Sequence, residues 1–84
     1  MKPIRLTAHA QGYLSRRGFT VSEVEDAIRT GMWRPAAQGR QETSKEFVYG
    51  RDWNGMVYAT KRVRPVFVEN PTEIVVITVY TYYF

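Results

Sequence analysis

The sequence predicts an α+β domain, with two N-terminal helices packed on one face of a three- to four-stranded antiparallel sheet. Three observations carry this. Helix punctuation is confined to the first 31 residues. An Asn54-Gly55 pair sits between two strand-like runs, the strongest short hairpin signal. The segment Glu73 to Tyr83 is β-branched and aromatic almost throughout, which marks a strand.

Taken in order, residues 4–6 form a short first strand. Thr7 is an N-cap, and residues 8–16 form a helix closed by Gly18. Gly12 weakens that helix by about 1 kcal/mol relative to Ala. Thr20-Val21-Ser22-Glu23 is a capping box for the second helix, with Phe19 placed to staple onto Val24. Val21, Val24, Ala27 and Ile28 form its buried stripe, and Gly31 ends it. Residues 32–44 read as a long loop, at the upper edge of ordinary loop length. Strands follow at 45–51 and 56–63, joined by the turn Asp52-Trp53-Asn54-Gly55. Arg64-Pro65 reads as a break, Val66-Phe67-Val68 resumes, and Glu69-Asn70-Pro71-Thr72 turns into the last strand. Alternation puts Val75, Ile77 and Val79 under the helices and Val76, Thr78, Tyr80 and Tyr82 on the other face.

The 84 residues fit a single domain spanning 1–84. No cysteine is present, which removes disulfides and thiolate metal sites and fits a cytoplasmic protein. No run approaches the ~20 apolar residues of a membrane span. The net charge is +4. The excess is concentrated early: Lys2, Arg5, Arg16 and Arg17 occur in the first 20 residues without an acid, whereas residues 41–84 are balanced. Arg predominates over Lys, which favours bidentate anion contacts. A basic, tyrosine-rich chain fits a nucleic-acid binder, and equally a solvated basic surface.

His9 is the sole histidine. Helical spacing sets it beside Tyr13 and Arg16. It suits general acid–base work, because an imidazole titrates near neutral pH; the alternative is a hydrogen-bonded structural residue. Arg17 falls on the apolar side of the same helix and must find an acid, a helix-end carbonyl or a ligand anion. Lys61, Arg62 and Arg64 cluster near Tyr58. Stacking on Tyr with phosphate contacts from Arg and Lys is how single-stranded RNA is held; a charged edge strand gives the same pattern. One His, no Cys and scattered carboxylates give no metal constellation and no cofactor motif. RNA cleavage by its own 2′-hydroxyl suits this inventory: it needs a base, cations for the phosphorane and an acid for the leaving oxygen.

Leu6-Thr7-Ala8-His9-Ala10, Arg17-Gly18-Phe19-Thr20, Glu23-Val24, Ala27-Ile28 and Ile74-Val75-Val76-Ile77-Thr78-Val79-Tyr80 together resemble the domain of unknown function 4258. That pattern runs hydrophobic-Ser/Thr-x-His-Ala, then Arg-Gly-Ile, a helix and a closing Val-Val-Thr-Val-Tyr strand. Where the family has Arg four residues after the His, this chain has Tyr13. The family in turn is similar to RelE/ParE-type toxins of the barnase–EndoU–colicin–RelE group. This implies a RelE-like sheet, roles for His9, Arg17 and Tyr80 in catalysis, RNA (free or ribosome-bound) as substrate and an antitoxin protein as partner. Arg16, Lys61, Arg62, Arg64 and Tyr58 are the expected nucleic-acid contacts. The expected function is thus a metal-independent, toxin-like endoribonuclease. Two alternatives stand beside it: a non-catalytic module that docks a protein through Tyr82-Tyr83-Phe84, and a ParE-like toxin acting on a protein target.

Overall fold

A computed structural model describes residues 2–84. The chain runs β1 (Ile4–Leu6), α1 (Ala8–Gly12), α2 (Leu14–Arg17), α3 (Val21–Thr30), β2 (Arg34–Pro35), a 3-10 turn (Ala37–Gly39), β3 (Gln41–Glu42), β4 (Lys45–Trp53), β5 (Met56–Glu69) and β6 (Ile74–Tyr83). The expected RelE-like arrangement of two helices on a three- to four-stranded antiparallel sheet is therefore corrected. Three short helices accompany a six-stranded mixed sheet, ordered β1-β6-β5-β3-β2, with β4 also pairing β5. The sheet is mixed because β1 runs parallel to β6, with Ile4 opposite Ile74 and Leu6 opposite Val76. Among the described residues no helix is long and apolar enough to cross a membrane.

Local signals placed the helix ends. Thr7 Oγ1 accepts from the Ala10 amide at 3.1 Å, capping α1. The single helix expected over 8–16 breaks in two at Tyr13, whose backbone (φ −97°, ψ 0°) sits in the bridge region. Gly12 just before it lowers the cost of the break. Gly18 closes α2 with φ 71°. A Cβ there would meet the Tyr83 hydroxyl and the Trp53 ring, so glycine satisfies both the left-handed backbone and the close approach. The capping box forms as expected: Thr20 Oγ1 accepts from Glu23 N at 3.1 Å, and Glu23 Oε1 accepts from Thr20 N at 2.9 Å. Val24, Ala27 and Ile28 are buried, whereas Val21, in the first turn, is 41% exposed.

The expected loop over 32–44 contains β2, the 3-10 turn and β3. Two-residue strands carry no periodicity to read. Tertiary pairing creates them: β3 pairs Val66 and Phe67 of β5, and β2 in turn pairs β3. The hairpin forms as expected, with Asn54 at φ 53° and Gly55 at φ 90°. The expected break at Arg64-Pro65 does not occur, and β5 runs unbroken for 14 residues. A strand residue directs N and O to the same side. The Pro65 carbonyl accepts from Thr43 N at 3.3 Å, so its donorless nitrogen faces the junction where β5 changes partner from β4 to β3. No ladder bond is lost there.

The face assignment on β6 is also corrected. Val66 pairs Thr78 and Phe67 pairs Val76, which leaves Ile77 as the extra residue of a bulge. Alternation changes phase there. Ile74, Val76 and Val79 enter the core, while Val75 and Ile77 are only half-buried. With Leu6, Ala10, Phe19, Val24, Ile28, Val63 and Phe67 these residues form one core between helices and sheet. Phe19 and Phe67 are its largest members, each contributing about 2–3 kcal/mol by burial.

Candidate functional site

β1 pairs β6 only as far as Val76. Beyond that point the margin of β6 has no strand beside it, and the α1–α2 segment lies along it instead. Thr7 Oγ1 donates to the Ile77 carbonyl at 3.3 Å, and Arg17 Nη1 donates to the Val79 carbonyl at 2.8 Å. In return, the carbonyl of Arg17 accepts from Thr81 Oγ1 at 2.6 Å and from the Tyr83 hydroxyl at 2.9 Å. These bonds fix the end of α2 against β6 and send the Arg17 side chain around the margin of the sheet.

There the guanidinium lies between two tyrosines. Its Cζ is 4.0 Å from the Tyr13 ring centroid and 5.1 Å from that of Tyr80. His9 packs T-shaped on the same Tyr13 ring at 4.9 Å. Arg64 also stands near Tyr80, 4.7 Å from its centroid, and 5.8 Å from that of Tyr82. The result is an alternating series, His9–Tyr13–Arg17–Tyr80–Arg64–Tyr82, which crosses from the helices onto the sheet face opposite the core. Arg62 continues it, 5.1 Å from the Phe84 ring.

The charges in this series differ in how they are satisfied. Arg64 is paired with Glu42 at 3.0 Å and Arg62 with Glu46 at 2.7 Å. The Arg64 Nε is buried without a hydrogen-bond partner. Neither Arg17 nor Arg16 has a carboxylate partner among the described residues, and Arg17 commits Nη1 while Nη2 and Nε remain without a protein acceptor. A half-buried guanidinium held between rings, with donors to spare, is a preorganised anion receptor. His9 is exposed. Among the described residues no group of three or more His, Asp or Glu side chains is gathered that could hold a metal ion.

The structure thus brings together His9, Arg17, Tyr80 and Arg64, with Arg16 beside Tyr13 at 5.8 Å and Arg62 further along the sheet. It places the other two expected residues elsewhere. Lys61 is 3% exposed on the core side, donating to the Gly18 carbonyl and to Glu23 at 2.9 Å each. Tyr58 tilts against Tyr83 at 5.8 Å, in the cluster where Tyr83 stacks on Trp53 at 4.7 Å. Burial pushes the Tyr83 hydroxyl up to about 12, with Tyr49 and Glu23 adding to the effect. Sequence reasoning gave Tyr13 no role of its own. The signal was present, since positions 9, 13 and 17 follow the four-residue helical step. Glu42 and Glu46, which pair the sheet arginines, were also missed, because pairing across strands depends on register.

The residues that build this site span most of the chain, and so does the match to a known family. No curated protein and no solved structure matches the chain. The family described as Domain of unknown function (DUF4258) matches residues 6–81, and the chain belongs to that family.

Proposed function

We propose that this domain is a metal-independent, toxin-like endoribonuclease whose active site is the margin of β6. The observation that carries it is the Arg17 guanidinium between Tyr13 and Tyr80, with His9 packed on the same Tyr13 ring. His9 takes the proton from a ribose 2′-hydroxyl, and the 2′-oxygen attacks the adjacent phosphorus. Arg17 binds the non-bridging oxygens, where charge accumulates. As the bond from phosphorus to the 5′-oxygen breaks, the Tyr80 hydroxyl donates a proton to the leaving oxygen. The products are a 2′,3′-cyclic phosphate and a 5′-hydroxyl. Solvent then returns a proton to Tyr80 and removes one from His9.

The early excess of arginine over acid and the family's similarity to RelE/ParE-type toxins support this reading. On the same ground the physiological substrate is RNA, free or on the ribosome, and the regulator is an antitoxin protein. Tightly induced expression in a bacterium tests the proposal, comparing wild type with His9→Ala for growth and for new RNA ends. His9 is exposed, so the variant folds. Loss of at least about 100-fold in cleavage is expected, at the low end of general acid–base contributions. Growth arrest without new RNA ends would move the activity to a protein target.

A further inference from the structure

Tyr80, Tyr82 and Phe84 follow one another on a single sheet face. They are 38%, 41% and 52% exposed, high for such large rings. Residues two apart on a strand are about 7 Å apart. That is about twice the 3.4 Å rise of bases stacked in a duplex strand. A row with this spacing accepts the bases of an extended single strand one by one, and it does not match stacked duplex bases. Each ring also carries a cation: Arg64 lies over Tyr80 and Tyr82, and Arg62 over Phe84. Glu46 and Glu42 pair these guanidiniums one to one and hold them in place, so the row offers ring faces rather than net positive charge. Tyr80 belongs both to this row and to the ring pair around Arg17, so the row starts at the cleavage site.

We infer that the substrate is single-stranded RNA, and that the nucleotides flanking the scissile phosphate run across this face with successive bases stacked on Tyr82 and Phe84. The inference rests on the RNA reading of the Arg17 site. Rows of aromatic rings beside cations bind single strands because every base has a π-face, so base identity contributes little.

The test is equilibrium binding by fluorescence anisotropy. It uses a labelled ten-nucleotide RNA carrying 2′-O-methyl groups, which cannot be cleaved, and the same sequence as a duplex. Expected are binding at least about tenfold tighter for the single strand, and weakening of about fivefold or more for Tyr82→Leu, the low end of one base stack. Tyr82→Trp is expected to bind as well as wild type. Both variants retain a large apolar side chain on an exposed position, so folding is preserved. Equal affinity for duplex and single strand, or equal affinity of Tyr82→Leu and wild type, overturns the inference. Stacking-dependent binding by a protein that leaves unmodified RNA intact would sustain the binding face and refute the nuclease reading alone.

Discussion

Arg17 and Lys61 sit on either side of Gly18, and both are cations set against tyrosine rings. Lys61 is almost fully buried, donates to Gly18 and Glu23, and lies 5.3 Å from the Tyr49 ring. Every demand of its charge is met within the fold. Arg17 is half-buried, makes one strong bond to a backbone carbonyl and keeps donors to spare. A charge the protein satisfies completely belongs to stability; a charge it positions but leaves short of partners is available to a ligand. Both cations contact the same short turn, so the comparison is controlled by the molecule itself.

The sharpest way to break it is Lys61→Met, which keeps the apolar stem and leaves Glu23 and the Gly18 carbonyl without their partner. We expect a loss of about 3 kcal/mol, the lower range for opening a buried ion pair, read from urea or thermal unfolding. The folded fraction should still cleave RNA within a few-fold of wild type. Arg17→Gln should do the reverse. Cleavage is expected to fall at least about 100-fold, as for removal of one donor to a developing oxyanion. Stability should fall by only about 2 kcal/mol, from one hydrogen bond and two partly exposed cation–π contacts. If Arg17→Gln unfolds the domain as readily as Lys61→Met, the distinction between the two cations fails.

The smallest effect sharpens the comparison at the link between them. The Tyr83 hydroxyl donates to the carbonyls of both Arg17 and Gly18. Tyr83→Phe should cost about 1 kcal/mol near neutral pH. It should also alter the alkaline limb of stability. The folded hydroxyl titrates at about 12, above the roughly 10 of an unfolded tyrosine. Between these values the unfolded chain has released a proton that the folded chain still holds. Stability from this group is thus fully present below pH ~10 and is lost as pH rises through ~12. Unfolding curves collected over that window should be shallower in pH for the phenylalanine variant than for wild type.

What was legible in the sequence was decided by neighbours in the chain. The capping box at Thr20 and Glu23, the Gly18 stop and the Asn54-Gly55 hairpin are each closed by residues a few positions apart. What was illegible was decided by distant backbone. Ile77 reads as an ordinary strand residue, and only its opposition to Val66 and Phe67 makes it a bulge that changes the phase of the face. β3 exists only because β5 is long enough to pair it, and β2 only because it pairs β3. At the site, the resemblance pointed to His9, Arg17 and Tyr80. Helical spacing set His9 beside Tyr13 and Arg16, and it is Arg17, beyond the break at Tyr13, that lies nearer the Tyr13 ring. The burial of Lys61 could not be read, because its carboxylate partner lies 38 residues away.

The parallel pair of β1 and β6 has a consequence for synthesis. The site joins residues 9–17 to residues 77–84, the two ends of a long loop in sequence. Loop-closure entropy must be met before those contacts return any stability, and such non-local pairings form slowly. Chains are made from the N-terminus at about 5–20 residues per second. His9, Tyr13 and Arg17 therefore emerge seconds before the strand that completes their site. A partly made chain carries His9, Tyr13 and Arg17 without Tyr80 or the carbonyl of Val79. On this geometry the candidate site is incomplete in every growing chain until β6 has emerged and docked, so the proposed cleavage would begin only with the folded domain.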